Sequence, residues 1–222
     1  GFKVVDPASG QIASVSGGPT DISYGGQGGF ADLAFAPDYR TSHGLYLSWV
    51  KKDASGKRYG VVGRGTVSCS QLASCAVVGL HEIWRQQPAL DTAGQFALRM
   101  TFSPDGKYLF VSSGDLMKGD PAQDLSNNLG SIVRLNLDGT AAAGNPFAGK
   151  GSPSDQVWTY GHRNPLGLRF DLNGQLWDLE HGPAGGDEIN KLEPGDNYGW
   201  PVVSNGDNYN GTPIPRHSTH PE

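Results

Sequence analysis

The sequence predicts an all-β chain arranged as a β-propeller of four-stranded antiparallel blades. Three observations lead there. A weak repeat places Phe35, Phe102 and Phe170 at intervals of 67 and 68 residues, each in a strand–turn–strand context. The chain carries 33 Gly and 15 Pro in 222 residues without a collagen-like period, which signals many tight turns and therefore many short strands. No amphipathic helix longer than two turns is visible. About four strands per unit, repeated around an axis, is the sequence pattern of a propeller.

The elements follow in order. Gly1-Phe2-Lys3-Val4-Val5 reads as a strand from its first residues. Leu33-Ala34-Phe35-Ala36-Pro37-Asp38 and Leu45-Tyr46-Leu47-Ser48 form the first predicted hairpin. Met100 to Gly106 with Tyr108 to Ser112 form the second, and Leu168 to Gly174 with Leu176 to Leu179 the third. Pro-Asp or Asn-Gly at the turn supports each pairing. Residues 60–67, 77–84 and 131–137 are further strand candidates rich in Val, Ile, Leu and Tyr. The repeat exceeds the ~40–50 residues of common blades, so long loops are inserted. Residues 1–222 then hold three units and a fraction, whereas propellers close with about four to eight blades. The expectation is one domain, a partial propeller truncated at both ends, with uncovered edges at its first and last blades.

Bulk properties narrow the function. With 17 basic and 22 acidic residues the net charge is −5, a mild acidity that argues against a nucleic-acid surface. No apolar run approaches the roughly 20 residues that span a bilayer. Cys69 and Cys75 are spaced as in a small disulfide-closed loop, which would imply an oxidising compartment; the alternative is two reduced cysteines that are merely close.

Chemistry concentrates in residues 160–201, where charged clusters sit beside Gly and Pro as in loops presented by a rigid scaffold. Arg163 offers a fixed fork of donors for a carboxylate and a plane for stacking, and Asn164 adds a donor and an acceptor. The competing reading is a structural arginine bonding loop carbonyls. In Glu180-His181-Gly182-Pro183-Ala184-Gly185-Gly186-Asp187-Glu188, Gly and Pro bend the backbone so that carbonyls can converge, and Asp187 and Glu188 add charge. That is a donor set for calcium, which takes about 6–8 oxygens; the bland reading is an exposed turn with solvated carboxylates. Gln95 and Asp115 flank the second hairpin and can meet on one rim. Asp115 could orient a histidine base, but residues 95–115 contain no histidine, and His43 and His81 are lone histidines in or beside strand-like runs.

Residues 26–35, residues 130–139 with Asn145-Pro146-Phe147, and residues 160–201, in that order, resemble the soluble PQQ-dependent glucose/sorbosone (aldose sugar) dehydrogenase family. The resemblance implies a six-bladed propeller, of which this chain would form roughly the first four blades. It implies oxidation of the anomeric C1–OH of an aldose to a lactone by hydride transfer to pyrroloquinoline quinone (PQQ), with a calcium ion polarising the quinone and an external electron acceptor. Arg163 and Asn164 match cofactor-contacting positions. Gly182 and Pro183 match positions whose carbonyls bind that calcium, Glu188 and Tyr198 match ligands of a second, structural calcium, and Gln27 matches a sugar-pocket position. A periplasmic or secreted location goes with this family. Two departures stand out. Gln95 occupies the position of the family's histidine base, four residues before Arg99, with Ala97 and Leu98 in place of the usual small Gly-rich pair, while Asp115 is retained. The lysine and arginines that clamp the cofactor's carboxylates would lie beyond Glu222. The alternative is a non-catalytic calcium-binding propeller serving sugar or protein recognition. A propeller lactonase would need an acidic cluster around a central ion, and the sequence suggests none beyond Asp187 and Glu188.

Overall fold

A computed structural model describes residues 1–219. Thirteen strands and one four-residue helical turn organise it, with short 3₁₀ turns in the loops. β1 (Phe2–Val5) and β2 (Ile12–Val15) form a hairpin. β3 (Phe30–Phe35), β4 (Gly44–Lys52), β5 (Arg58–Ser68) and β6 (Ala76–Arg85) form a four-stranded antiparallel sheet in chain order. β7 (Ala97–Phe102), β8 (Tyr108–Ser113), β9 (Ser131–Asn136) and β10 (Val157–Tyr160) form a second. β11 (Pro165–Phe170), β12 (Leu176–Glu180) and β13 (Glu188–Lys191) form a three-stranded sheet.

This is the all-β, propeller-type architecture read from the repeat, and the repeating phenylalanines fall on β3, β7 and β11, the first strands of three successive sheets. Two sheets have the expected four strands; the other two have three and two. After β13 the chain runs as turns. Its last part is clasped by Arg216, which donates to Ser204 O (3.1 Å) and Gly206 O (2.7 Å) and pairs with Asp207 (2.7 Å).

Turn chemistry explains the hairpins. Asp105 Oδ1 accepts from Ser103 Oγ and Lys107 N, and Gly106 takes φ 72°. Asp171 Oδ1 accepts from Asn173 N and Gln175 N, and Gly174 takes φ 83°. The Pro37-Asp38 turn departs from this pattern. It opens into the helical turn α1 (Tyr39–Ser42), closed by His43 in a left-handed conformation.

The sheets pack face to face. Tyr46, Val62, Trp84, Leu98, Met100, Leu109, Val133 and Leu135 fill the layer between the two four-stranded sheets. Phe110, Ile132, Leu168 and Leu176 fill the next. Burying each large apolar side chain contributes about 1.5–3 kcal/mol. Arg99, on β7, joins the first strands of three sheets: Nη1 donates to Ala31 O (2.9 Å) and Nε to Leu166 O (3.0 Å). Asp32 Oδ2 accepts from Met100 N, and Arg169 Nη1 donates to Met100 O. Cys69 and Cys75 are joined by a disulfide in the loop between β5 and β6.

Candidate active site

The loops at one end of the sheets surround a cleft of about 470 Å³, within the range of ligand sites. Gln95, Asp115, Lys118, Arg163, Pro183, Trp200 and Tyr209 are among its walls. Gln95 reaches it through a bulge: the β7–β8 register shifts between Ala97 and Met100, and Gln95, Ala97 and Leu98 have φ of 57°, 57° and 70°. Left-handed backbone is unfavourable for side chains other than Gly, by about 1–2 kcal/mol per residue, so the Ala97-Leu98 pair carries strain that glycines would not. Gln27 supports the bulge from behind, accepting from Gln95 N (2.7 Å) and donating its own N–H to Ala93 O (2.7 Å).

Asp115 is 1% exposed. It accepts from Trp200 Nε1 (2.9 Å), Met117 N (2.8 Å) and Gly119 N (3.1 Å). Burial pushes its carboxyl above the usual carboxylate range, against those hydrogen bonds and the Arg163 charge. Its hydrogen-bond partners are Trp200 and the loop backbone, not Gln95. The two segments meet through main chain: Leu116 N donates to Gln95 O (3.2 Å), and Gly114 lies so close to that carbonyl that a Cβ there would collide with it.

Arg163 forms part of one wall of the cleft. Its Nη1 donates to His181 O (2.9 Å) and Gly182 O (2.8 Å), as a structural arginine would. Its plane also faces the rings of Trp200 (5.3 Å) and Tyr209 (5.8 Å), and Nη2 donates to Tyr209 Oη (3.3 Å). Two side-chain atoms of this wall, Gln95 Oε1 and Arg163 Nε, and Asn164 Oδ1 next in the chain are buried without a partner, as are atoms of Asp155, Asp178 and Asn190 elsewhere. Unpaired buried polar atoms cost about 1–3 kcal/mol each, a cost that a polar ligand in the cleft would offset for the first group.

The loop after β12 supplies oxygens. A Cβ on Gly182 would lie 2.3 Å from Gly185 O and 2.4 Å from Gly186 O, so only glycine lets these carbonyls crowd together. Asp187 accepts from Gly182 N (2.9 Å) but is mostly exposed. Behind this loop a cavity of about 10 Å³ is walled by Glu180, Gly182, Pro183, Gly186, Glu188, Tyr198 and Ser204 among others, a size suited to a single water or ion. Glu180 and Glu188 stand opposite each other on β12 and β13. Burial, then the Glu180 charge, pushes Glu188 up. Like charges paired across strands repel, and a hard cation would offset that. Tyr198 Oη is committed to Lys191 O (2.6 Å) and Glu193 N (2.9 Å), which leaves its carbonyl as the oxygen it can offer a cation.

The sequence reading overlooked an acidic cluster. Asp178, Glu180 and Glu188 are drawn together, with His162 Nδ1 2.9 Å from Glu180 Oε2 and 3.3 Å from Asp178 Oδ2. The expectation of no acidic cluster beyond Asp187 and Glu188 is therefore corrected. The cluster lies beneath the loops, and His162, Asp178 and Glu180 are all buried. Desolvation disfavours the charged His162, but Glu180 and Asp178 outweigh it and raise its pKa. Burial pushes Asp178 up to about 7. The available signal was alternation on β12: Asp178 and Glu180 face inward while Leu179 is 52% exposed. Trp200 and Tyr209 were also missed as walls of the cleft.

These features define a propeller-type protein with a polar cleft and, beneath it, a small pocket walled by Glu180 and Glu188. Residues 2–222 match the family model for Glucose / Sorbosone dehydrogenase. The aldose sugar dehydrogenase YliI of Escherichia coli (strain K12) is 40% identical over 93% of this chain and 54% of its own. Quinoprotein glucose dehydrogenase B of Acinetobacter calcoaceticus is 30% identical over 90% of this chain and 45% of its own. The apo crystal structure of the soluble E. coli aldose sugar dehydrogenase aligns with TM-score 0.88 at 36% identity, over 96% of this chain and 60% of that one. The PQQ-bound aldose sugar dehydrogenase of Streptomyces coelicolor aligns with TM-score 0.79 at 28% identity, over 96% and 60%. The chain belongs to the glucose/sorbosone dehydrogenase family, and it spans about half the length of the curated relatives it matches.

Proposed function

We propose that the protein containing this chain is a PQQ- and calcium-dependent dehydrogenase that oxidises an aldose, or a related alcohol, at C1 to the lactone. The chain forms about four blades of a six-bladed ring, as one partial propeller domain. The observation that carries the reading is the set of unpartnered buried atoms on Gln95, Arg163 and Asn164 beside the cleft. Arg163 and Asn164 would meet the polar edge of PQQ, and the Gly182 and Pro183 carbonyls would hold its calcium, which would replace the Arg163 Nη1 donor now on Gly182 O (2.8 Å). Glu188 and the Tyr198 carbonyl suit a second calcium. When bound, PQQ with its calcium supplies the hydride acceptor.

The chain's own residues do the rest. Arg163, flanked by Trp200 and Tyr209, fixes the plane and orientation of what binds in the cleft. Gln27 holds the Gln95 bulge by accepting from Gln95 N, and through it would set where Gln95 stands against the sugar. Gln95, a neutral amide, accepts a hydrogen bond from the C1 hydroxyl but cannot take its proton, so that proton leaves to water and the rate lacks the general-base factor of about 10²–10⁴. An external acceptor takes up the electrons. The disulfide suits a periplasmic or secreted setting, and no helix among the described residues is long and apolar enough to cross a membrane.

The test is dye reduction by the full-length protein reconstituted with PQQ and calcium, over a panel of aldoses and other alcohols. Turnover with an aldose supports the reading; intact cofactor binding with no turnover on any substrate defeats it. Gln95 favours one second reading, a calcium-binding propeller that recognises sugars or proteins without catalysis. That reading predicts calcium binding but no quinone absorption band on adding PQQ.

A further inference from the structure

The pair Arg163-Asn164 sits on a backbone in which every polar group is committed. Arg163 N donates to Glu180 Oε1, and Arg163 O accepts from Asp115 N (2.9 Å). Asn164 N donates to Glu180 Oε1 (3.3 Å), and Asn164 O accepts from His181 N (3.2 Å). One carboxylate oxygen thus gathers both successive N–H groups. The other, Glu180 Oε2, holds His162 Nδ1 at 2.9 Å. His162 Nε2 meets Thr159 Oγ1 at 2.9 Å, and its ring stacks on Tyr198 at 4.6 Å and 19°. His162 is fully buried and Glu180 is 6% exposed, so solvent offers no substitute. In contrast, Arg163 Nε and Asn164 Oδ1 have no partner. A backbone tied at every atom, presenting an arginine fork held at Nη1 and Nη2 and two side-chain atoms still without a partner, is the arrangement of a preorganised binding loop.

We propose that Glu180, braced by His162, is a positioning residue that aims the Arg163 and Asn164 side chains into the cleft. This rests on the cofactor reading of the cleft given above. Glu180 touches nothing in the cleft by way of Arg163's or Asn164's side chains; it acts on their main chain. A carboxylate suits the task because it accepts from three N–H groups at once. Glutamine preserves part of this. Its amide oxygen accepts from both backbone N–H groups, and its NH₂ meets Nδ1 once His162 places its proton on Nε2, which Thr159 Oγ1 can accept. Aspartate cannot: one methylene shorter, it cannot reach all three donors.

The experiment compares Glu180→Gln and Glu180→Asp in the full-length protein with wild type. Two quantities are read: PQQ affinity in calcium buffer, by quenching of tryptophan fluorescence, and hydrogen exchange of the Arg163 and Asn164 amides in the apo protein. Glu180→Asp is expected to weaken PQQ binding at least tenfold and to speed exchange at both amides at least tenfold, with circular dichroism unchanged. Glu180→Gln is expected to stay within about threefold of wild type in both. Wild-type affinity and exchange in Glu180→Asp would overturn the proposal, as would a Glu180→Gln variant that falls as far as Glu180→Asp. Failure of wild type to bind PQQ would instead strike the cofactor reading, and the apo exchange rates would still decide whether Glu180 fixes the loop.

Discussion

Gln95→His is the most informative single change. The structure keeps the consequences local. Position 95 is held through its main chain: its N–H donates to Gln27 Oε1 (2.7 Å), and its carbonyl accepts from Leu116 N (3.2 Å). A new side chain therefore inherits the same frame. The φ of 57° is a left-handed value, which histidine tolerates better than most residues. The amide being removed is 6% exposed and its Oε1 has no partner, so its loss removes an unsatisfied acceptor, while the imidazole brings a nitrogen of similar need. Stability should stay within about 1 kcal/mol. The rate should not. A positioned general base contributes about 10²–10⁴, equivalent to lowering the barrier by about 3–5 kcal/mol. Steady-state dye reduction by the full-length, reconstituted protein is the assay, with PQQ affinity measured alongside. The pH dependence carries the sign: imidazole accepts a proton only when neutral, so the variant's rate should climb as pH rises through the histidine pKa and then level off, a limb that wild type lacks. A Gln95→His protein that binds PQQ as wild type does, yet turns over no faster at pH 8, would refute the assignment of position 95.

Three further outcomes follow from other parts of the molecule. Ala97→Gly should stabilise by about 0.5–1 kcal/mol in denaturant titration, because φ 57° strains alanine but not glycine; Leu98→Gly should destabilise despite a similar φ, because Leu98 is fully buried. Asp178→Asn should raise the melting temperature more at pH 8 than at pH 5. The folded carboxyl sits at about 7 against about 4 unfolded, so the folded state binds the extra proton in that window, and wild type loses stability as pH rises through it; a pH-independent difference would contradict this. Calcium at 100 times its dissociation constant should add about 2.7 kcal/mol to the folded state, and Glu188→Gln should lower the affinity behind that gain, both readable by calorimetry with and without chelator.

What the sequence revealed tracks how local its cause was. The second and third hairpins were legible because Asp105 and Asp171 organise their turns within four residues of chain. The first hairpin formed as expected, but its connection runs through a helical turn because Asp38 also accepts from Ser42 Oγ. The three-stranded sheet escaped prediction because the run after β13 is fixed by Arg216 bonding carbonyls 10 and 12 residues away. At the site, motif resemblance marked Gln27 and Gln95 separately; their hydrogen bond spans 68 residues, beyond the reach of any pattern. Glu180 begins the Gly-rich segment 180–188 but was read as part of a turn. Its role depends on Arg163 N, 17 residues earlier, which the strand pairing of β11 with β12 brings alongside.

Arg99 has a consequence for how such a site can diversify. It grips Ala31 and Leu166 by their carbonyls, not by their side chains. A carbonyl is present whatever residue stands there, so the alignment of the three sheets is largely indifferent to what residues 31 and 166 become. The loops that rise from those sheets can then drift in sequence without the frame losing its register. A substitution at position 95 would be a change of this kind: it would alter the rim while the hub beneath it holds still.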